Sequence, residues 1–178
     1  MMERLKLVAF DEDDLAVVSA HVQDAVLKVG DMAFLPKERR FAAVINRFVW
    51  EKPAEGTFRK SWQRRRAGFH FETVRAVRSI GIDRSKPDVV LDLLAIGFDS
   101  GRAPAGTVTL IFAGGGAIAL DVECIEASIS DLGPAWTTAC CPKHDVDTAS
   151  PPAPGAAEAG KKARSGKAGT TAAERAKV

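Results

Sequence analysis

Residues 62–66 read Trp-Gln-Arg-Arg-Arg; Phe58, Arg59 and Lys60 precede them, and Arg75 and Arg78 follow. A guanidinium binds phosphate oxygens through paired hydrogen bonds, and an indole ring stacks on a nucleobase. Trp62, Arg64, Arg65, Arg66, Arg75 and Arg78 are therefore the candidate contacts for nucleic acid or another polyanion. The five arginines fall between residues 64 and 78, a span with one acidic residue, Glu72. If residues 64–66 open one strand and 75–78 lie on its neighbour, they share one end of a sheet. A second reading stands beside this one. Residues 36–86 carry fourteen Lys/Arg and five Asp/Glu, whereas residues 87–139 carry one and seven. The basic segment can simply lie against the acidic one within a single fold.

Other constellations are weaker. Asp121 and Glu123 alternate with apolar residues, so they share a strand face about 7 Å apart. Two carboxyls so held are the minimum for general acid–base work, and Glu126 joins them if a bulge intervenes. The plain alternative is a solvated outer strand face. Residues 113–117 (Ala-Gly-Gly-Gly-Ala) imitate a phosphate cradle, but a cradle must open into a helix and these residues open into strand alternation without a lysine. Cys140, Cys141 and His144 offer soft ligands, yet adjacent cysteines strain against sharing one zinc and no second ligand pair lies nearby. Cys124 ends an apolar strand face and reads as a small buried hydrophobe. His21 and His70 have no evident carboxylate or nucleophile partner in the sequence. No metal, cofactor or catalytic residue is expected.

The elements that must position these groups follow from patterning. In residues 106–129 (GTVTLIFAGGGAIALDVECIEASI), Val108, Leu110 and Phe112 alternate before the Gly114-Gly115-Gly116 turn. Ile118, Leu120, Val122 and Cys124 alternate after it, which is the signature of a β-hairpin. Asp11 caps a helix with Glu12, Asp13 and Asp14 at its positive end. Leu15, Val18 and Val22, with Val26 as a further member, form an apolar stripe at helical spacing, and the helix ends near Gln23. The segment AVLKVGDMAFLP bends at Gly30-Asp31 and forms a second hairpin with RFAAVINRFVW through the Pro36–Arg39 turn. Residues 51–60 are a polar loop. Ala67, Phe69 and Phe71 alternate in the next strand, residues 74–82 read as a bend and another strand, and VVLDLLAIGF reads as a central strand. Leu132-Gly133-Pro134 ends the regular pattern, with Trp136 as the last anchor.

The blocks LDLLAIGF, APAGTVTLIFAGGGAIALDVECIEA and DLGPAW, with DAVLKVGDMAFLPKERRFA upstream, resemble an uncharacterised bacterial domain-of-unknown-function family over about residues 4–140. The resemblance implies an intracellular bacterial protein. It carries no established activity and transfers no site residue.

Composition bounds the rest. The chain has 178 residues, 46% hydrophobic, with net charge +2, enough for one domain with an extension. Its three cysteines lack the spacing of a disulfide framework. The start, MMERLKLVAF, has no apolar secretory core. Residues 103–120 are uncharged but hold four glycines and a proline, so a hairpin fits better than a membrane-spanning helix. From Ala149 onward there are ten alanines and no aromatic residue. Such a segment cannot bury enough apolar surface to fold.

The expected fold is α+β: an N-terminal helix on a bent antiparallel sheet, or partly closed barrel, of about six or seven strands over residues 1–139. Residues 140–178 are expected to be a disordered Ala/Pro/Gly/Lys-rich tail. The expected role is a non-enzymatic cytoplasmic binding or accessory domain with a protein partner and no membrane association. The alternatives are nucleic-acid or polyanion binding through residues 59–78, and a small enzyme using strand-face carboxylates.

Overall fold

Asp11 opens the helix as its side chain predicts. Its carboxylate accepts the Asp14 N–H at 2.8 Å, capping α1 (Glu12–Val22), whose Leu15, Val18 and Val22 are buried. A helix of 11 residues is marginal alone, so this apolar stripe holds it against the sheet. The computed structural model describes residues 4–50 and 62–138, all within one compact unit spanning residues 1–143. The expectations for the tail, and for Cys140, Cys141 and His144, lie outside the described residues.

Among the described residues the sheet has ten strands, not six or seven. In chain order they are β1 (Lys6–Ala9), β2 (Ala25–Lys28), β3 (Met32–Leu35), β4 (Arg40–Phe48), β5 (Trp62–Phe71), β6 (Val74–Ile80), β7 (Val90–Ser100), β8 (Gly106–Phe112), β9 (Ala117–Val122) and β10 (Ala127–Thr138). Their order across the sheet is β1-β10-β5-β4-β2-β7-β8-β9-β6, with β3 paired to β4 beside this path. The ladders are antiparallel, and the sheet does not close, since β1 and β6 end the path. One core nevertheless takes Phe69 and Ile129 from one half and Leu110 and Leu120 from the other. Strands so distant in the ladder reach one core because the sheet curls around it and around α1.

The glycine-turn hairpin is β8 and β9. Gly114 and Gly115 adopt φ of +79° and +83°, open to glycine at no steric cost, and the Phe112 N–H closes the turn on the Gly116 carbonyl at 2.9 Å. Leu110 and Leu120 are both buried on these adjacent strands. At the start of β8, a side chain on Gly106 would lie 2.5 Å from the Asp99 carbonyl and the Phe98 ring, so only glycine fits.

β10 is the strand that patterning missed. Leu132-Gly133-Pro134 does not end the chain's regularity. It fills a bulge between Asp131 and Ala135, after which pairing with β5 resumes through Thr138. Proline is tolerated at a bulge because no ladder bond needs its nitrogen. Among the described residues, no helix is long and apolar enough to cross a membrane.

Candidate functional site

Alternation along β5 divides the arginine run. Ala67, Phe69 and Phe71 point into the core, and Arg65 shares their parity. Its paired neighbour on β4 is Arg47, which also points inward. Between them lies Asp131 of β10. Arg47 binds this carboxylate through Nε and Nη2, each at 2.9 Å, and Arg65 Nη1 binds it at 2.9 Å. The Leu5 N–H adds a fourth donor at 2.8 Å, while the Leu5 carbonyl accepts the Asp131 N–H at 2.9 Å. The side chains of Arg47, Arg65 and Asp131 are 1%, 4% and 0% exposed. Desolvation is the largest influence on the Asp131 carboxyl and pushes its pKa up. The donors from Arg47, Leu5 and Arg65 together outweigh it and hold the group below the usual carboxylate range. This buried cluster clamps β4, β5, β10 and the chain before β1. Enclosed in this way, Arg65 does not present its guanidinium to a phosphate.

The other parity faces outward. Trp136, Arg64 and Phe48 form one cross-strand row on β10, β5 and β4. Trp62 and Trp50 lie beside it, with rings 6.0 Å apart, and Phe48 sits 5.1 Å from Trp50. The Arg64 guanidinium lies 3.9 Å above the Phe48 ring and donates to the carbonyls of Asn46 and Asp24 at 3.0 and 3.3 Å. Arg64 is thus a lid on Phe48, engaged with backbone. Trp50, Trp136 and Leu132 remain 39%, 42% and 55% exposed on this side, with Leu132 lying over Gly68.

Arg66 belongs to the same face and is exposed, without an ion pair among the described residues. It lies opposite Asn46, and both line an open cleft of about 370 Å³ with Val26, Lys28, Asp31 and Val90. The cleft opens where β2 is ladder-paired to β4 only at Val26–Asn46, while it pairs along its whole length with β7. Lys28 in this cleft pairs with Asp88 at 2.9 Å; the hydrogen bond to Asp88 raises its pKa above the ordinary lysine value.

Arg75 and Arg78 lie elsewhere. They sit on β6, which follows β5 in sequence but pairs with β9, so the shared sheet end expected from neighbouring strands does not form. The reason is the Glu72-Thr73 connection. The Glu72 N–H bonds Glu126, the Val74 N–H bonds Arg39, and the Thr73 hydroxyl donates to the Cys124 carbonyl at 3.0 Å. These bonds carry the chain across to the other half of the curled sheet. Arg78 pairs with Asp121 at 2.7 Å, while Arg75 is exposed. Three of the five arginines, Arg64, Arg65 and Arg78, are therefore bonded within the fold.

The carboxylate pair dissolves in the same way. Asp121 accepts Arg78 and the Thr107 hydroxyl, and Glu123 lies past the end of β9, bonded to Arg39 at 2.7 Å. Neither lines the cleft beside Arg66 and Asn46. Cys124 is half-buried in the turn after β9 rather than on a strand face. His70 does have a carboxylate neighbour, Glu72, at 3.5 Å. Among the described residues, no three His, Cys, Asp or Glu side chains gather as a metal site.

Sequence reasoning missed Asp131, Arg47, Phe48 and Trp50. The signal was present in parity: Arg65 shares the period-two phase of Phe69 and Phe71, while Trp62, Arg64 and Arg66 take the opposite phase.

No curated protein and no solved structure matches the chain. A family model described as a protein of unknown function, DUF2948, matches residues 5–144, a span that holds the buried clamp and the whole aromatic face. The chain belongs to this family.

Proposed function

We propose that the protein is a non-enzymatic binding module and that the outer face of β10, β5 and β4 docks a protein partner. The observation that carries this reading is a sheet face bearing Trp50, Trp62, Trp136 and Leu132 beside Arg66, which has no ion pair among the described residues. Tryptophan and arginine are enriched at the centres of protein interfaces, where a rigid ring buries much area at little entropic cost. Exposed aromatic groups gathered on one face signal a contact surface more strongly than the same residues scattered. A cytoplasmic setting in a bacterium belongs to the same proposal, supported by the cysteine pattern and the sequence resemblance.

Nucleic-acid binding is the second reading, favoured by Trp62 and Trp136 as stacking groups beside Arg66. Its charge supply is small, because Arg64, Arg65 and Arg78 are already bonded. Arg66 and Arg75 give a log–log salt slope of only about −2, against about −4.5 for all five arginines.

Capture from the native cell separates the two readings. Wild type, a Trp136→Ala/Arg66→Glu variant and an Arg75→Glu variant are compared, each with and without nuclease, after thermal unfolding shows all three folded. The protein-docking reading expects a nuclease-insensitive partner retained by wild type and Arg75→Glu and lost by the double variant. An identical capture profile for all three would sink it, and a partner set abolished by nuclease would favour the second reading.

A further inference from the structure

A second cavity lies away from the aromatic face, between the open edges of β3 and β6. Its volume is about 170 Å³. Among the described residues β3 pairs only with β4 and β6 only with β9, so each keeps one unpaired edge, and side chains of both strands line this cavity. Buried Phe41 and Ile118 form part of the lining, and half-buried Met32, Phe34, Val77 and Ile82 form more of it. The polar side chains in the lining are Ser79 and Arg84.

Arg84 gives the cavity its chemistry. It is exposed and makes no ion pair or hydrogen bond with another described residue. The adjacent carboxylate does not neutralise it, since Asp83 accepts the Ser85 hydroxyl at 2.6 Å and pairs with Lys86 at 3.2 Å. The lining thus joins apolar side chains to polar surface and to one cation, Arg84, that is uncommitted among the described residues.

We propose that this cavity binds a small amphipathic monocarboxylate, with its hydrocarbon body among Phe34, Phe41, Val77 and Ile118 and its carboxylate on Arg84. The volume sets the size: about 150 Å³ holds a benzene-sized guest, so one ring or a chain of about six carbons matches this space in volume. The guanidinium sets the head group, since its parallel N–H donors match the two oxygens of a carboxylate. A single cation in the described lining sets the charge. Ser79 and the open strand edges supply further hydrogen-bonding groups at the mouth.

The test is a methyl and amide NMR titration of the full chain with hexanoate, benzoate and, as the uncharged comparison, hexanol. Wild type is expected to show saturable hexanoate shifts on Met32, Val77, Ile82 and Ile118, and binding at least about tenfold tighter than hexanol, the difference one charge-assisted pair provides. Arg84→Gln, a change on an exposed turn, is expected to lose this advantage while leaving hexanol binding unchanged. Val77→Phe, checked for native unfolding behaviour, is expected to fill the cavity and abolish binding of both. Absence of cavity shifts up to about 10 mM, weaker than any useful affinity, overturns the proposal. So does equal hexanoate binding by wild type and Arg84→Gln, or by wild type and folded Val77→Phe.

Discussion

Replacing Asp131 with alanine is expected to lower folding stability by about 3–5 kcal/mol, a large share of the total for a domain of this size. The carboxylate holds Arg47 on two nitrogens, Arg65 on a third and the Leu5 N–H on a fourth donor. Its loss removes the carboxylate that two enclosed guanidinium groups share and takes the acceptor from the Leu5 N–H. An uncompensated buried charge costs far more than the same group on a surface. Urea unfolding with a constant slope measures the difference, and a change below about 0.5 kcal/mol, the surface range, would contradict the clamp. The same group sets an acid limit. Its folded-state pKa lies below the unfolded value of about 3.9, so its contribution is complete above that value and is lost as pH falls through the folded value. The acid-side loss of stability should therefore be shallower in Asp131→Asn than in wild type. Asp83, lowered by its Ser85 and Lys86 hydrogen bonds on an exposed turn, is the control carboxylate.

Leu120→Ala is expected to cost about 2–5 kcal/mol. Leu120 is 0% exposed on β9, paired with Val108 on one side and Val77 on the other. Truncation removes three carbons from a site whose walls belong to three adjacent strands, so the hole cannot collapse without shifting a ladder. Ile80, at the open end of β6 and 70% exposed, is the matched comparison. Ile80→Ala should stay within about 0.5 kcal/mol. Similar costs for the two changes would refute the assigned faces of β6 and β9.

The hairpin around Gly114 and the helix capped by Asp11 were legible in the sequence because their causes are local: period-two alternation, a turn that needs positive φ, and a side chain that caps its own helix. β10 was not, because Gly133-Pro134 reads as a terminator unless the partner strand that accommodates its bulge is known. The bend of AVLKVGDMAFLP at Gly30-Asp31 was visible, but not that β2 would be ladder-paired to β4 at one position and to β7 along its length. The candidate site was half legible. The basic run was found, and pairing with internal carboxylates was weighed, but the identity of those partners rests on contacts such as Arg47 to Asp131, 84 residues apart. That β6 avoids β5 is equally non-local, fixed by the bonds of Glu72, Thr73 and Val74 to distant backbone.

The central claim is that one run of arginines serves two faces: Arg65 the buried clamp, Arg66 the outer surface. Comparing urea unfolding of Arg65→Glu and Arg66→Glu tests it most directly, since the two changes are adjacent and chemically identical. Arg65→Glu forces a second carboxylate against Asp131 in an enclosed site and is predicted to cost more than about 3 kcal/mol. Arg66→Glu is predicted to fall within about 0.5 kcal/mol of wild type. Equal costs, or a larger cost at Arg66, would contradict the division.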